Sequence, residues 1–341
     1  MYNYLKSIPC GESIPFNNPH AVSVSLPTIH DIISYEEGDK KMLEKMQSGY
    51  PRFFRNKLVQ RLVDYVRKKY EVTEYYLILP ISSQKAYHIL CELIHVKLDF
   101  IELLNCVFIR IKSDHHLLKP VNDYIRNAGF VISFRQAENV LINLGLIRQI
   151  YQEEKTKFLE ANRNIHTILG QAYNVNDDAI VLTNSGANAV FLVCETIIQK
   201  GILEGKNKVV QLGWLYLDTM EIVQKRSPNT YWQVDVYNLE ALEIWLKKNH
   251  KRISLITTEV VSHPKLDCVD VKKLYSICKK YKIKLLLDVT LITPFNFNVL
   301  EHCDIAVESL SKFACGKGDV LMGVIVSKDL RLLQKIKKIC N

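Results

Sequence analysis

The sequence predicts an α/β protein built on a mainly parallel sheet with helices on both faces. Apolar, β-branched runs recur through the second half: "AIVLTNSG" (179–186), "KVVQLGW" (208–214), "RISLITTEV" (252–260), "IKLLLDVT" (283–290), "DIAVESL" (304–310) and "VLMGVIVS" (320–327). Amphipathic helical patterns such as "NLEALEIWLKKN" (238–249) and "DVKKLYSICKKY" (270–281) lie between several of them. Short buried strands alternating with such helices are the signature of a covered parallel sheet. With 341 residues, 48% of them hydrophobic, the chain can bury a sizeable core, and it is long enough for two domains.

The first half reads differently. Residues 7–39, rich in proline and turn formers, predict an extended arm. Residues 38–70 read as helix, a Gly-Tyr-Pro-Arg break, and helix. "YYLILPISS" (75–83) and "CVFIRIKS" (106–113) read as strands, each followed by a helical pattern. A long helical stretch over 135–173 then leads into the sheet. No internal repeat is visible.

Composition narrows the function classes. The net charge of +9 is modest, and the lysines are spread along helix-like stretches as solvated faces. No basic stripe interleaved with aromatics marks a nucleic-acid surface. Nine cysteines without a close Cys-x-x-Cys pair read as reduced thiols in a cytoplasmic protein. His115-His116 lacks a metal partner nearby in sequence and reads as surface, so no metal is expected. No apolar stretch reads as long enough to span a bilayer.

In parallel sheets ligands collect where strands end at their carboxyl side, and four such ends carry chemistry. In "LTNSGANAV" (182–190), Ser185-Gly186 opens a helix whose free N–H groups suit an anion; an ordinary strand-to-helix turn is the plain alternative. Tyr216, in "GWLYLDT" (213–219), offers a ring to a flat ligand, or simply packs in the core. Asp288 ends the apolar "LLLDVT", where a carboxylate needs a cation or strong donor, unless it caps a helix. Ser309, Ser311 and Lys312 follow the run "DIAV". In this order on successive strands, an anion cradle, a stacking ring, a buried acid and a lysine fit pyridoxal 5′-phosphate. The lysine would form the Schiff base and the aspartate would keep the ring nitrogen protonated.

These segments resemble the Cys/Met-metabolism family of fold-type I pyridoxal-phosphate enzymes, in particular its fungal-type cystathionine gamma-synthase branch. "PHAVSVSLPTIHDIISYEEGD" (19–39) and "SGYPRFF" (48–54) are similar to that branch's amino-terminal signature. "ISFRQAE" (132–138), "LTNSGANAV", "YLDTMEIV" (216–223), "TEVVSHP" (258–264), "LLLDVT" and "ESLSKFACGKGDVLMG" (308–323) follow in its order. The resemblance implies a seven-stranded-type sheet and a catalytic set of Lys312, Tyr216 and Asp288, with Lys312 carrying the internal aldimine. It implies phosphate contacts from the Gly186 and Ala187 amides, Ser309 and Ser311, with Ser185 and Thr290 in the same cofactor-binding set. Arg135 would reach the phosphate of a neighbouring subunit, which implies a homodimer or homotetramer with shared active sites. Arg52, in "YPRFF", presents a similar Tyr-x-Arg element, but Arg135 precedes the phosphate loop by one helical passage, as the family's arginine does.

Three departures stand out. Ser133 replaces the family's tyrosine two residues before that arginine. Ser262-His263-Pro264 replaces Ser/Thr-Asn-Pro, leaving His263 as the candidate for a cofactor-oxygen or substrate contact. The chain also ends at Asn341, soon after Lys312, where the family continues into a small α/β domain. The expected organisation is an amino-terminal arm and α/β extension (1–134), a cofactor-binding domain (135–328) and the start of a truncated carboxyl-terminal domain (329–341).

The implied activity is γ-replacement, in which cysteine displaces the acyl group of O-acylhomoserine to give cystathionine. Alternatives are β- or γ-elimination of a sulfur amino acid, or a non-catalytic homologue serving as an interaction or structural subunit. A dinucleotide dehydrogenase is disfavoured because no Gly-x-Gly-x-x-Gly follows an early strand.

Overall fold

The computed structural model describes residues 7–51, 53–149, 151, 153 and 156–340. It divides into two compact units. One is drawn from Met1–Arg126, Phe130–Glu154 and Cys315–Leu321, the other from Asn127–Gly129, Lys155–Ala314 and Met322–Asn341.

In the first unit, β1 (Ser13–Ile14) and β2 (Ser23–Val24) pair antiparallel. The arm is not extended throughout, because it contains helix α1 (Ile29–Glu36). Thr28 Oγ1 accepts from the Asp31 N–H at 3.1 Å while the Asp31 carboxylate accepts from the Thr28 N–H at 3.1 Å. Each group thereby satisfies a donor that the helix start leaves unpaired. Helices α2 (Lys40–Lys45) and α3 (Lys57–Lys69) flank the expected break. There follow β3 (Tyr76–Ile81), α4 (Gln84–Ile94), β4 (Asp99–Leu103), β5 (Cys106–Lys112), α5 (Leu118–Asn127) and α6 (Phe134–Asn143).

The strands form an antiparallel sheet in the order β3-β5-β4. Strand β4 was not anticipated: it buries only alternate residues and carries Asp99 and Glu102. Its hairpin with β5 turns through Leu104 and Asn105, both at positive φ, the backbone that matches the twist of the flanking strands. Leu58, Leu62, Val63 and Val66 of α3 pack into one core with Phe108 of β5 and Phe134 and Leu141 of α6. The helical stretch expected over 135–173 is two helices. The first ends at Asn143, and Gly145 then takes φ +68°, a conformation that ends a helix and favours glycine.

The second unit comprises α7 (Phe158–Tyr173), β6 (Ile180–Thr183), α8 (Gly186–Leu203), β7 (Lys208–Leu212), α9 (Leu217–Arg226), β8 (Tyr231–Gln233) and α10 (Leu239–Asn249). It continues with β9 (Ile253–Glu259), α11 (Val271–Tyr281), β10 (Lys284–Asp288), α12 (Thr293–Asn296), β11 (Ile305–Ser309), β12 (Gly323–Val326) and α13 (Leu330–Cys340). Seven strands align as β6-β12-β11-β10-β9-β7-β8. All neighbours are parallel except β12, which runs antiparallel to both β11 and β6. The seventh strand, β8, is a three-residue edge pairing with β7, too short to stand out in the sequence.

Every residue of β9 is buried, as a strand covered on both faces requires. Helix α8 is long and apolar enough by length and composition to cross a membrane, contrary to the sequence expectation. It is nevertheless 72% buried, so its apolar surface is spent inside the unit. Leu285, Leu287, Ile256 and Leu274 belong to the core between sheet and helices.

Leu285 is fully buried, so Leu285→Ala is expected to lower stability by about 2–5 kcal/mol. Urea unfolding followed by far-UV circular dichroism would measure it.

Candidate active site

Strands β6, β7, β9, β10 and β11 all deliver chemistry at their carboxyl ends. After β6, Ser185 caps α8: its buried hydroxyl accepts from the Asn188 N–H at 3.1 Å. The chain must pass close to its neighbours here. A Cβ on Gly186 would lie 2.6 Å from Cβ of Ser309, and one on Gly323 would lie 2.4 Å from the Ser185 carbonyl oxygen. The two glycines therefore let the α8 amino terminus, the end of β11 and the start of β12 converge without side chains between them. Helix α8 is eighteen residues long and presents its dipole's positive end and unpaired amides there.

Ser311 is also buried. Its hydroxyl accepts from the Met322 N–H at 3.0 Å and donates to the Met322 carbonyl at 3.3 Å. Donation to an anion would therefore require turning that proton away from Met322. Ser309 donates its backbone N–H to Thr290 Oγ1 at 2.9 Å, and the Thr290 N–H donates to Asp288 Oδ1 at 2.9 Å. Thr290 thus ties the ends of β10 and β11 together. Lys312 follows in the turn, its amide donating to the Ser309 carbonyl at 3.2 Å, and its side chain is exposed.

Three carboxyl groups end adjacent strands. Asp288 pairs in register with Glu259 across β10 and β9, and Glu308 is the penultimate residue of β11. Glu259 and Glu308 are buried and Asp288 is partly so. Backbone amides and a phenol donate hydrogen bonds to them. Thr290 donates to Asp288, Tyr216 and His263 amides donate to Glu259 at 2.6 and 2.9 Å, and the Tyr173 hydroxyl donates to Glu308 at 2.6 Å.

Burial, unrelieved by positive charge, raises all three pKa values. Desolvation pushes Asp288 above its ordinary range against the opposing Thr290 bonds. Glu259 rises to about 8, through burial and then the neighbouring Asp288. Glu308 rises to about 7, chiefly through burial. A cationic ring nitrogen fits such a place, because it supplies the charge that these acids lack. Together with the glycine-lined cradle, the residues present fit pyridoxal 5′-phosphate.

Tyr216 is half-buried, at the residue preceding α9. His263 is exposed, with its amide held by Glu259. Ala187 is buried in the first turn of α8. Arg135 belongs to the first unit, where it engages both oxygens of Glu153 at 2.8–3.1 Å, donates to the Asp319 carbonyl and lies 3.7 Å from the Asp319 carboxylate. Ser133 caps α6, accepting from the Gln136 N–H at 3.1 Å. Arg52 lies outside the described residues.

Glu259, Glu308 and Tyr173 were not singled out from sequence. A charged residue closing an apolar, β-branched run was the signal available for both acids, the same one that drew attention to Asp288.

The family model for Cys/Met metabolism PLP-dependent enzymes matches residues 168–341. Among curated relatives, an L-2-amino-4-chloropent-4-enoate dechlorinase/desaturase of Streptantibioticus cattleyicolor is 32% identical, over 90% of this chain and 62% of its own length. A cystathionine gamma-synthase of Neurospora crassa is 23% identical, over 92% of this chain and 70% of its own. The chain thus spans about three fifths of the first of these relatives. A solved structure, cystathionine gamma synthase from Xanthomonas oryzae pv. oryzae, aligns over 53% of this chain and 45% of that one, with 19% identity and a TM-score of 0.44.

Because the Glu308 pKa lies above its ordinary 4.5, the folded state holds its proton more tightly than the unfolded chain. Glu308 therefore contributes stability that is fully present below about pH 4.5 and lost as pH rises toward about 7. Glu308→Gln, an isostere of the neutral acid, is expected to match the cofactor-free parent below pH 4.5 and exceed its stability above pH 7. Urea midpoints across that range would test it.

Proposed function

The chain belongs to the Cys/Met metabolism family of PLP-dependent enzymes, and from that premise we propose that it acts at the γ-carbon of an amino acid carrying a leaving group there. Its fold is fold type I and its cofactor is pyridoxal 5′-phosphate. In the proposed reaction cysteine and an O-acylhomoserine give cystathionine and a carboxylic acid. The γ-carbon exchanges a C–O bond for a C–S bond, and the thiol proton leaves with the acid. The reading is supported by the placement of Ser185-Gly186, Tyr216, Asp288 and Ser309 at the carboxyl ends of one sheet's strands, with Lys312 in the turn that follows β11.

Each residue then has a definite task. The Gly186 and Ala187 amides, with Ser309 and a reoriented Ser311, would hold the phosphate at the positive end of α8. Asp288 would meet the ring nitrogen, gaining the cation that its burial calls for, while Thr290 keeps that carboxylate oriented. The Tyr216 ring would lie against the cofactor ring. Lys312 would hold the cofactor covalently and carry the substrate's α-proton. When bound, the cofactor supplies an electron sink for the carbanion that proton removal creates. Released from Glu153, Arg135 would reach the phosphate of a second copy, making the functional form a homodimer or homotetramer. His263 would face the substrate or the cofactor's ring oxygen.

Elimination without thiol addition is the second reading. It is favoured by the relative named as a dechlorinase/desaturase, whose substrate, as named, carries its chlorine on the same γ-carbon. Loss of a γ-substituent is common to both reactions, and a shared scaffold supports either.

Purified protein supplied with pyridoxal 5′-phosphate is expected to gain a visible absorbance band that borohydride abolishes and that Lys312→Ala lacks. A parent protein that stays colourless would favour a non-catalytic role. With O-acylhomoserine and cysteine, chromatography should detect cystathionine. 2-Oxobutyrate with no cystathionine would replace the synthase reading with elimination.

A further inference from the structure

Glu259 occupies a singular place in the second unit. It is the last residue of β9, the strand between β10 and β7, and it is 8% exposed. Its two carboxyl oxygens serve different loops. Oε1 accepts from the Tyr216 N–H at 2.6 Å, in the connection between β7 and α9; Oε2 accepts from the His263 N–H at 2.9 Å, in the connection after β9. Neither amide is satisfied within a helix or strand ladder. Tyr216 precedes the first turn of α9 without a side-chain cap, its φ and ψ being −52° and 136°, and the Glu259 carboxyl satisfies its own amide, one of the donors a helix start leaves open. On its other flank Glu259 is in register with Asp288.

We propose that Glu259 is a positioning residue for the cofactor ring: one carboxyl group that fixes the loop carrying Tyr216 and the loop carrying His263 beside the acid that meets the ring nitrogen. The proposal rests on the reading of Tyr216 and Asp288 as ring contacts. Its physical basis is the shortness and burial of two hydrogen bonds to one carboxyl group, each oxygen accepting a backbone amide that would otherwise be left unsatisfied. A half-exposed tyrosine on an irregular segment has many orientations available. Anchoring its own amide removes most of them, so the ring is preorganised and less ordering is required on binding. The raised pKa of Glu259 agrees with this placement: the carboxyl is buried beside a like-charged neighbour for reasons other than its own stability.

Glu259→Gln is the discriminating variant. It keeps shape and one acceptor oxygen but turns an NH2 group against one of the two amides, so one loop is released while the other stays tied. Glu259→Asp keeps two acceptors on a shorter stem. The expected result is a dissociation constant for pyridoxal 5′-phosphate raised at least tenfold in Glu259→Gln, measured by fluorescence titration. The circular dichroism of the bound cofactor's visible band should weaken, and Glu259→Asp should recover part of both. Combining Glu259→Gln with Tyr216→Ala should add less than the two single effects together, because both act through one ring. A Glu259→Gln protein that binds with unchanged affinity and an unchanged dichroic band overturns the proposal, as does strict additivity with Tyr216→Ala.

Should Glu259→Gln fail to fold, hydrogen exchange on the cofactor-free parent decides. Protection of both the Tyr216 and His263 amides supports the clamp, and rapid exchange of both overturns it. That measurement needs no cofactor. A parent that never binds pyridoxal 5′-phosphate would thus defeat the functional reading while leaving the clamp separately tested.

Discussion

The desolvation of Asp288 at the carboxyl end of β10, which no positive charge among the described residues relieves, is the constraint around which the candidate site is arranged. Desolvation makes Asp288 hold its proton more tightly than in water, and Asp288 in turn adds to the burial that raises the pKa of Glu259 and Glu308 on the flanking strands. A cation placed against these three acids would relieve that cost. A few residues away along the same strand ends, the α8 amino terminus suits an anion instead. A molecule with a protonated ring nitrogen at one edge and a phosphate at the other matches both demands, as an ordinary amino acid does not.

The parallel sheet makes this polarity possible. Its interior strands carry continuous apolar runs, so polar chemistry is expelled to their ends. Inserting β12 antiparallel between β6 and β11 brings Gly323 against the Ser185-Gly186 turn, and Gly186 against Ser309. Side chains at either glycine would push these segments apart. Thr290 then joins β10 to β11 through its hydroxyl, and Glu259 joins the loops after β7 and β9 through its carboxylate. These hydrogen bonds across the strand ends act together with the packing of Val260, Val289 and Leu310 into the core.

Much of this was legible in the residues. All six runs of the second half read as strands form strands, because strands of a covered sheet are apolar throughout and stand out from their surroundings. The motif-bearing loops follow from the same reading. What escaped notice had weaker local signals. Strand β4 is half exposed and acidic, β8 has only three residues, and α1 hides in a proline-rich arm behind a Thr-x-x-Asp cap. The helical pattern across 135–173 continues on both sides of Gly145, so periodicity alone could not show that the backbone leaves the helix there. Within the site, Asp288 drew attention as a charge after leucines, whereas Glu259 and Glu308 follow threonines and a valine and looked less exceptional. The pairing of Tyr173 with Glu308 joins residues far apart in sequence and is visible only in three dimensions.

The antiparallel strand β12 has one more implication, for the order of events during synthesis. Strand β6 sits at the sheet's edge with β12 as its neighbour, and the cradle between Ser185 and Ser309 is backed by Gly323. The ribosome makes β6 early and β12 late, so the strand that opens the cradle waits, without a ladder partner, for nearly the whole unit to emerge. Contacts of such long sequence separation form slowly. The cradle is complete only once β12 has arrived, and until then the nascent chain exposes an apolar β6 edge of the kind that chaperones shield.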